Sequence, residues 1–157
     1  MQKKAATKTA RGNRNWKNVT VRLYADEYQL LIALCDALSM PGARVDKSLL
    51  LRTAAVEEAT LLGFSPASPE GGASVPNRPK AWKYAVPERD EESYAEQLTI
   101  TVHPLELTAV ENAAQWAHVK LQRFFLGSLL RFGAKRKQAD PKDPKLRLIR
   151  IPEQFSR

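Results

Sequence analysis

Apolar and polar residues alternate in two short stretches of the chain. In Val19-Thr20-Val21-Arg22-Leu23, Val19, Val21 and Leu23 point one way, and Thr20 and Arg22 the other. In Leu98-Thr99-Ile100-Thr101-Val102, Leu98, Ile100 and Val102 point inward, and Thr99 and Thr101 outward. A period of two marks a strand with one buried face. Strands this short need a partner, because a lone hairpin is marginal in water. Each stretch is the obvious partner of the other. Pairing centred on Val21 and Ile100 is the expected antiparallel register, which sets Thr20 beside Thr101 and Arg22 beside Thr99.

A helical period follows each strand. Tyr28, Leu31, Cys35 and Leu38 fall at i, i+3, i+7 and i+10, and an offset of 79 carries them onto Leu107, Val110, Ala114 and Ala117. Each set makes one apolar stripe. Pro104 suits a first helical turn, where its missing N–H does no harm. Met40-Pro41-Gly42 ends the first of these helices. Asp46 is placed to cap the next, which carries Leu49, Leu50, Ala54 and Val56 and stops near Gly63. In the second segment the break falls near His118–Lys120, and Leu121, Phe124, Phe125, Leu129 and Phe132 follow at helical spacing. The same offset sets Glu27 on Glu106, Arg44 on Arg123, and Leu50-Leu51-Arg52 on Leu129-Leu130-Arg131. Identity between the segments is low. Their shared order of strand, helix, break and helix is the better sign of repetition.

These segments divide the chain. Residues 1–17 read as a basic flexible arm, 18–62 as a first unit, 63–93 as a linker, 94–138 as a second unit, and 139–157 as a basic tail. Pro66, Pro69, Pro76, Pro79 and Pro87, with Gly71-Gly72, deny the linker a continuous helix or central strand. Trp82, Tyr84 and Val86 give part of it a reason to pack on the body.

Charge adds a partner to this outline. The chain has 157 residues, 43% of them hydrophobic, with 25 Lys and Arg against 17 Asp and Glu, a net charge of +8. That hydrophobic share excludes wholesale disorder. Residues 1–17 contribute +6 and residues 135–157 contribute +5, so the body between them is −3. Basic ends on a near-neutral body suit contacts to a polyanion, nucleic acid being the commonest. The plainer alternative is a pair of solubilising tails. No apolar run approaches the roughly 20 residues of a membrane span, and the basic N-terminus has no apolar region behind it to make a secretory signal. The expectation is a cytoplasmic protein without a membrane partner.

One cysteine and two histidines leave little for metal or nucleophilic chemistry. Cys35 lies on the apolar stripe and reads as core. His103 reads as a helix cap or surface residue, and His118 as the end of a helix. Phe124, Phe125 and Phe132 read as core, while Glu57-Glu58 and Glu91-Glu92 read as solvated acids. No general acid/base pair, phosphate-binding Gly-Lys loop or two-histidine zinc helix is present in the sequence. The expected catalytic residues, metal and cofactors are none, and the protein is not expected to be an enzyme.

The strands Val19-Thr20-Val21-Arg22-Leu23 and Leu98-Thr99-Ile100-Thr101-Val102, each followed by two helices, resemble the ribbon-helix-helix DNA-binding superfamily. The likeness covers about 80 residues in two copies. It implies a mainly α fold with a two-stranded antiparallel ribbon. The two units would be fused as an intramolecular pseudo-dimer, where most members are homodimers. It implies a ribbon in the major groove of double-stranded DNA and second-helix N-termini on flanking phosphates. The tandem form is similar to accessory proteins of conjugative or T-DNA transfer and to plasmid transcription regulators. The implied role is a transcription regulator at nucleoid or plasmid DNA, or a relaxosome accessory marking a transfer origin. The implied partners are DNA, further copies on adjacent sites, and relaxase or RNA polymerase. The first copy departs from the family pattern, with Pro41-Gly42-Ala43-Arg44 and an acid, Asp46, where a Ser/Arg-rich turn is usual.

The residues expected to read bases are Thr20, Arg22, Thr99 and Thr101, with Asn18 and Gln97 at the ribbon edge. Arg forks onto guanine, Asn and Gln suit adenine, and Thr bonds or touches a thymine methyl. Thr and Arg are also ordinary solvent-facing strand residues. The expected phosphate contacts are Lys17, Lys47, Ser48, Lys120 and Arg123. A reading of another class is an all-helical protein-interaction module with nonspecific basic tails. Against it stands the outward strand face, polar in both copies and free of acids, where a protein-binding edge is more often apolar.

Overall fold

The computed structural model describes residues 15–71, 82–139 and 142–143. The greater part of the basic arm, the middle of the linker and nearly all of the basic tail lie outside the described residues. In chain order the elements are β1 (Lys17–Leu23), α1 (Ala25–Leu38), α2 (Lys47–Leu61), β2 (Glu96–Val102), α3 (Pro104–Trp116) and α4 (Leu121–Ala139). Among the described residues these are four helices and a two-stranded antiparallel sheet.

The caps follow from local chemistry. Asp46 accepts a hydrogen bond from the Leu49 N–H at 3.1 Å and so starts α2. His103 Nδ1 accepts from the Leu105 N–H at 3.1 Å, with Pro104 opening α3. After α3 the chain turns through His118 at φ 59°, and after α2 through Gly63 at φ 104°, the left-handed conformation that closes helices.

β1 and β2 pair along their whole lengths, with Val19 opposite Ile100, Thr20 opposite Thr99, and Val21 opposite Leu98. The expected register, centred on Val21 and Ile100, is therefore displaced by two residues. A slip of two keeps every side chain on its face, so the alternation of apolar and polar residues is satisfied by either register. In the observed one, the residues related by the offset of 79, Thr20 and Thr99, face each other.

Behind the sheet lies one continuous core. Val19, Val21, Leu23, Ile100 and Val102 meet Leu31, Leu34 and Cys35 of α1, Leu51 and Ala55 of α2, Val110 and Ala114 of α3, and Phe124, Phe125 and Leu129 of α4. α2 and α4 pack on each other beneath the sheet. The offset of 79 carries β1 onto β2 and α1 onto α3, but it fails for the second helices. The connection 39–46 is longer than its counterpart 117–120. An offset of 74 instead carries the buried Leu50, Leu51, Ala54, Ala55, Glu58 and Ala59 onto Phe124, Phe125, Ser128, Leu129, Phe132 and Gly133, all buried. The expected matches of Arg44 with Arg123 and of Leu50-Leu51-Arg52 with Leu129-Leu130-Arg131 are corrected accordingly.

Part of the linker is a packed strap. Trp82 stacks on Phe124 with ring centroids 4.7 Å apart, and its indole N–H donates to Glu58 Oε2 at 2.9 Å. Gly127 makes this approach possible, since a Cβ there would meet the Tyr84 carbonyl oxygen and come within 2.6 Å of the Trp82 ring. Glu58, expected to be solvated, is buried beneath the strap and also pairs with Arg131 Nε at 3.1 Å. Its burial pushes its carboxyl above the ordinary range, against the opposing pull of Trp82 and Arg131.

Candidate nucleic-acid interface

Strand alternation sends every second side chain of β1 and β2 away from the core. The outer face so formed carries three cross-strand pairs, Asn18 with Thr101, Thr20 with Thr99, and Arg22 with Gln97. All six side chains are exposed. The pairs are joined laterally at both ends of the face. Arg22 Nε donates to Gln97 Oε1 at 3.3 Å, and Thr101 Oγ1 donates to Asn18 Oδ1 at 3.1 Å. Among the described residues no carboxylate lies on this face. Glu96, at the end of β2, pairs with Leu23 and has the opposite parity.

The six expected base-reading residues are thus brought together on one surface. Seven residues per strand at about 3.3 Å each make a ribbon about 23 Å long, and the B-DNA major groove, about 12 Å wide, admits a two-stranded ribbon.

The expected phosphate contacts divide. Lys17 is exposed at the start of β1. Lys47 and Ser48 form the first turn of α2, and Ser48 Oγ donates to the Thr99 carbonyl at 3.2 Å, so this helix start sits against the ribbon. Asp46, an acid where phosphate contacts are expected, is occupied as the helix cap. Lys120 is exposed just before α4, and its ammonium pairs with Glu88 at 2.7 Å. That hydrogen bond, followed by one from Tyr94, holds the Glu88 carboxyl below its ordinary range.

Arg123, expected at a phosphate, lies buried instead. It is 3% exposed, and its guanidinium lies against Glu27, with Nη2 2.9 Å from Oε2. Its Nε donates to the Val86 carbonyl at 3.0 Å. A guanidinium committed to a buried carboxylate and a backbone carbonyl has no fork left for DNA.

The glutamate partner of Arg123 is one of a matched pair. Glu27 accepts from the Tyr24 N–H at 2.9 Å and binds Arg123 of α4. Glu106, 79 residues on, accepts from the His103 N–H at 3.2 Å and binds Arg52 of α2 through both carboxylate oxygens, at 2.9 and 3.0 Å. Each glutamate caps its own helix and receives an arginine from the second helix of the other segment. These contacts fix both helix starts at the two ends of the ribbon. The offset that relates Glu27 to Glu106 was the sequence signal for them.

At the arm end of the ribbon, Trp16 lies edge-on to His103 with ring centroids 5.7 Å apart, and the Arg52 guanidinium sits 4.7 Å from the Trp16 ring centre. Sequence reasoning left Trp16 without a role; here it seats the entry to β1 on Arg52 and His103. At the other end Arg89 of the strap pairs with Asp26 at 2.8 Å and with Glu92 at 3.0 Å. Arg89 holds the Asp26 carboxyl below its ordinary range.

Cys35 is buried, and burial raises its thiol pKa, consistent with a core residue. Among the described residues no group of three or more His, Cys, Asp or Glu side chains could hold a metal, and no helix is long and apolar enough to cross a membrane. No protein-family model, curated protein or solved structure matches this chain.

Proposed function

We propose that this chain is a sequence-specific double-stranded DNA-binding protein, that its two-stranded ribbon enters the major groove, and that it regulates transcription from the site it occupies. The observation carrying this reading is the outer face of the ribbon. Six polar, acid-free side chains stand in three facing pairs, while the opposite face of the same strands is fixed in the core. A surface held this firmly costs little to order on binding, and its side chains are those that hydrogen-bond to base edges.

The pairing of Thr20 with Thr99 supports the further reading that the chain is two ribbon-helix-helix units fused into a pseudo-dimer. A twofold relation between the segments requires that equivalent residues meet at the centre of the ribbon. Glu27 and Glu106 are equivalent under that relation, and each receives an arginine from the second helix of the other segment, although Arg123 and Arg52 stand at different positions along their helices. The start of α2, with Lys47 and Ser48, is placed for the phosphates beside the groove, where helix N-termini favour anions.

The test uses the full chain and fluorescent duplexes at one moderate salt concentration. Wild type is expected to prefer native upstream DNA over random duplex. The triple variant Thr20→Ala, Arg22→Ala, Thr99→Ala is expected to lose that preference while keeping its melting behaviour. A variant that discriminates as well as wild type would overturn the reading. Sequencing the genomic fragments retained by the protein then separates a promoter from a transfer origin.

A further inference from the structure

The two ends of the outer face offer different hydrogen-bonding groups to whatever lies on them. At one end Arg22 Nε donates to Gln97 Oε1 at 3.3 Å. This engages one lone pair of the Gln97 acceptor and leaves two guanidinium nitrogens and the Gln97 carboxamide nitrogen as donors on exposed side chains. That end is rich in donors. At the other end Thr101 Oγ1 donates to Asn18 Oδ1 at 3.1 Å. The hydroxyl proton and the carboxamide oxygen are engaged there, leaving the Asn18 nitrogen as donor and the Thr101 oxygen lone pairs as acceptors. That end offers one donor beside one acceptor.

In the major groove guanine shows two acceptors, N7 and O6, whereas adenine shows an acceptor, N7, beside a donor, N6. The first end complements guanine and the second complements adenine. Between them Thr20 and Thr99 present methyl and hydroxyl groups, which suit a thymine methyl.

Resting on the proposed DNA reading, we infer that the recognition site is polar, with a G·C pair under Arg22 and Gln97 and an A·T pair under Asn18 and Thr101. Arg22 and Asn18 are four residues apart, about 13 Å along a strand. At about 3.4 Å per base pair this separates the two contacts by about four steps. About the centre between Thr20 and Thr99, Asn18 corresponds to Gln97 and Arg22 to Thr101. A ribbon made of identical halves would carry the same pair at both ends and prefer a palindrome. The exchange of Arg for Thr between the halves removes that equivalence. Gln97 is a positioning residue for Arg22 as well as a donor, because its carbonyl holds the Nε edge.

The experiment selects bound sequences from a random duplex pool with the full chain at fixed salt. The expected motif is non-palindromic, with guanine at one end and adenine about four base pairs away. Arg22→Ala is expected to weaken binding to that motif by roughly 5- to 150-fold and to relax the guanine end alone. Asn18→Ala is expected to relax the adenine end alone. Gln97→Ala is expected to weaken the guanine preference less than Arg22→Ala does. Thermal melting of each variant checks that it folds, and the wild-type motif reads the polarity even where a variant does not fold. A palindromic motif, or variants that relax both ends alike, overturns the polar site and leaves DNA reading in place. A pool with no enrichment over its input overturns the DNA reading itself.

Discussion

Arg123 of α4 and Glu27 of α1 form a buried ion pair, with Nη1 to Oε1 at 3.3 Å and Nη2 to Oε2 at 2.9 Å. The residues are 96 positions apart in sequence, and the side chains are 3% and 6% exposed. The pair ties the start of α4 to the end of β1, where the ribbon meets the helices.

Removing one partner leaves the other charge poorly matched in the interior, with Arg89, 3.9 Å away, the cation left to Glu27. Arg123→Ala is expected to cost about 3–5 kcal/mol, and Glu27→Ala a similar amount. Urea unfolding measures both. At a temperature where Arg123→Ala is folded, the proposed DNA reading predicts an affinity within about twofold of wild type, because Arg123 is buried away from the outer face of the ribbon. A large affinity loss in a folded variant would return Arg123 to the interface.

Gly127 lets the strap lie flat on α4. Gly127→Ala places a methyl against the Tyr84 carbonyl and the Trp82 ring. Overpacking of this kind costs about 1–3 kcal/mol. The expected result is a lower unfolding midpoint and altered near-ultraviolet circular dichroism from Trp82. A variant as stable as wild type would show that the strap shifts freely.

Glu58 gives the pH dependence a definite sign. Burial raises its folded pKa above the ordinary 4.5, so the folded state binds the proton more tightly than the unfolded state does. The Glu58 contribution is therefore most favourable in acid and is lost as pH rises from 4.5 through the folded value. Glu58→Gln keeps an acceptor for the Trp82 indole and cannot ionise. Wild-type minus variant unfolding free energy is expected to fall as pH rises from 4.5 through the folded pKa. A difference that rises with pH would reverse the assignment.

Both strands of the ribbon come from one chain and are hydrogen-bonded edge to edge. Sedimentation of the free protein is expected to give the mass of a single chain, 17.6 kDa. Strand exchange between chains, read from mixed labelled samples, would contradict the intramolecular ribbon.

The alternation of apolar and polar residues fixed which strand side chains face outward, because a period of two determines faces. It left the register open by two residues, since Thr20 opposite Thr99 and Thr20 opposite Thr101 bury the same set. The second helices were misaligned because a constant offset ignores the unequal connections 39–46 and 117–120. Arg123 and Glu58 were misjudged for one reason. Each is charged, and each is buried by partners far away in sequence: Glu27 for Arg123, and Trp82 and Arg131 for Glu58. Local pattern carries no record of such partners. His103 and Asp46 were legible as caps because a cap acts within three residues.

The most direct measurement asks whether the ribbon lies in the major groove. Guanine N7 opens into that groove and is methylated there by dimethyl sulfate. Wild-type protein bound to its retained DNA fragments is expected to protect guanines at one end of the site. Methylation of the same guanines beforehand is expected to block binding. Arg22→Ala is expected to lose the protection. Guanines that react in the complex as they do in free DNA, with binding indifferent to prior N7 methylation, would contradict major-groove reading by this ribbon.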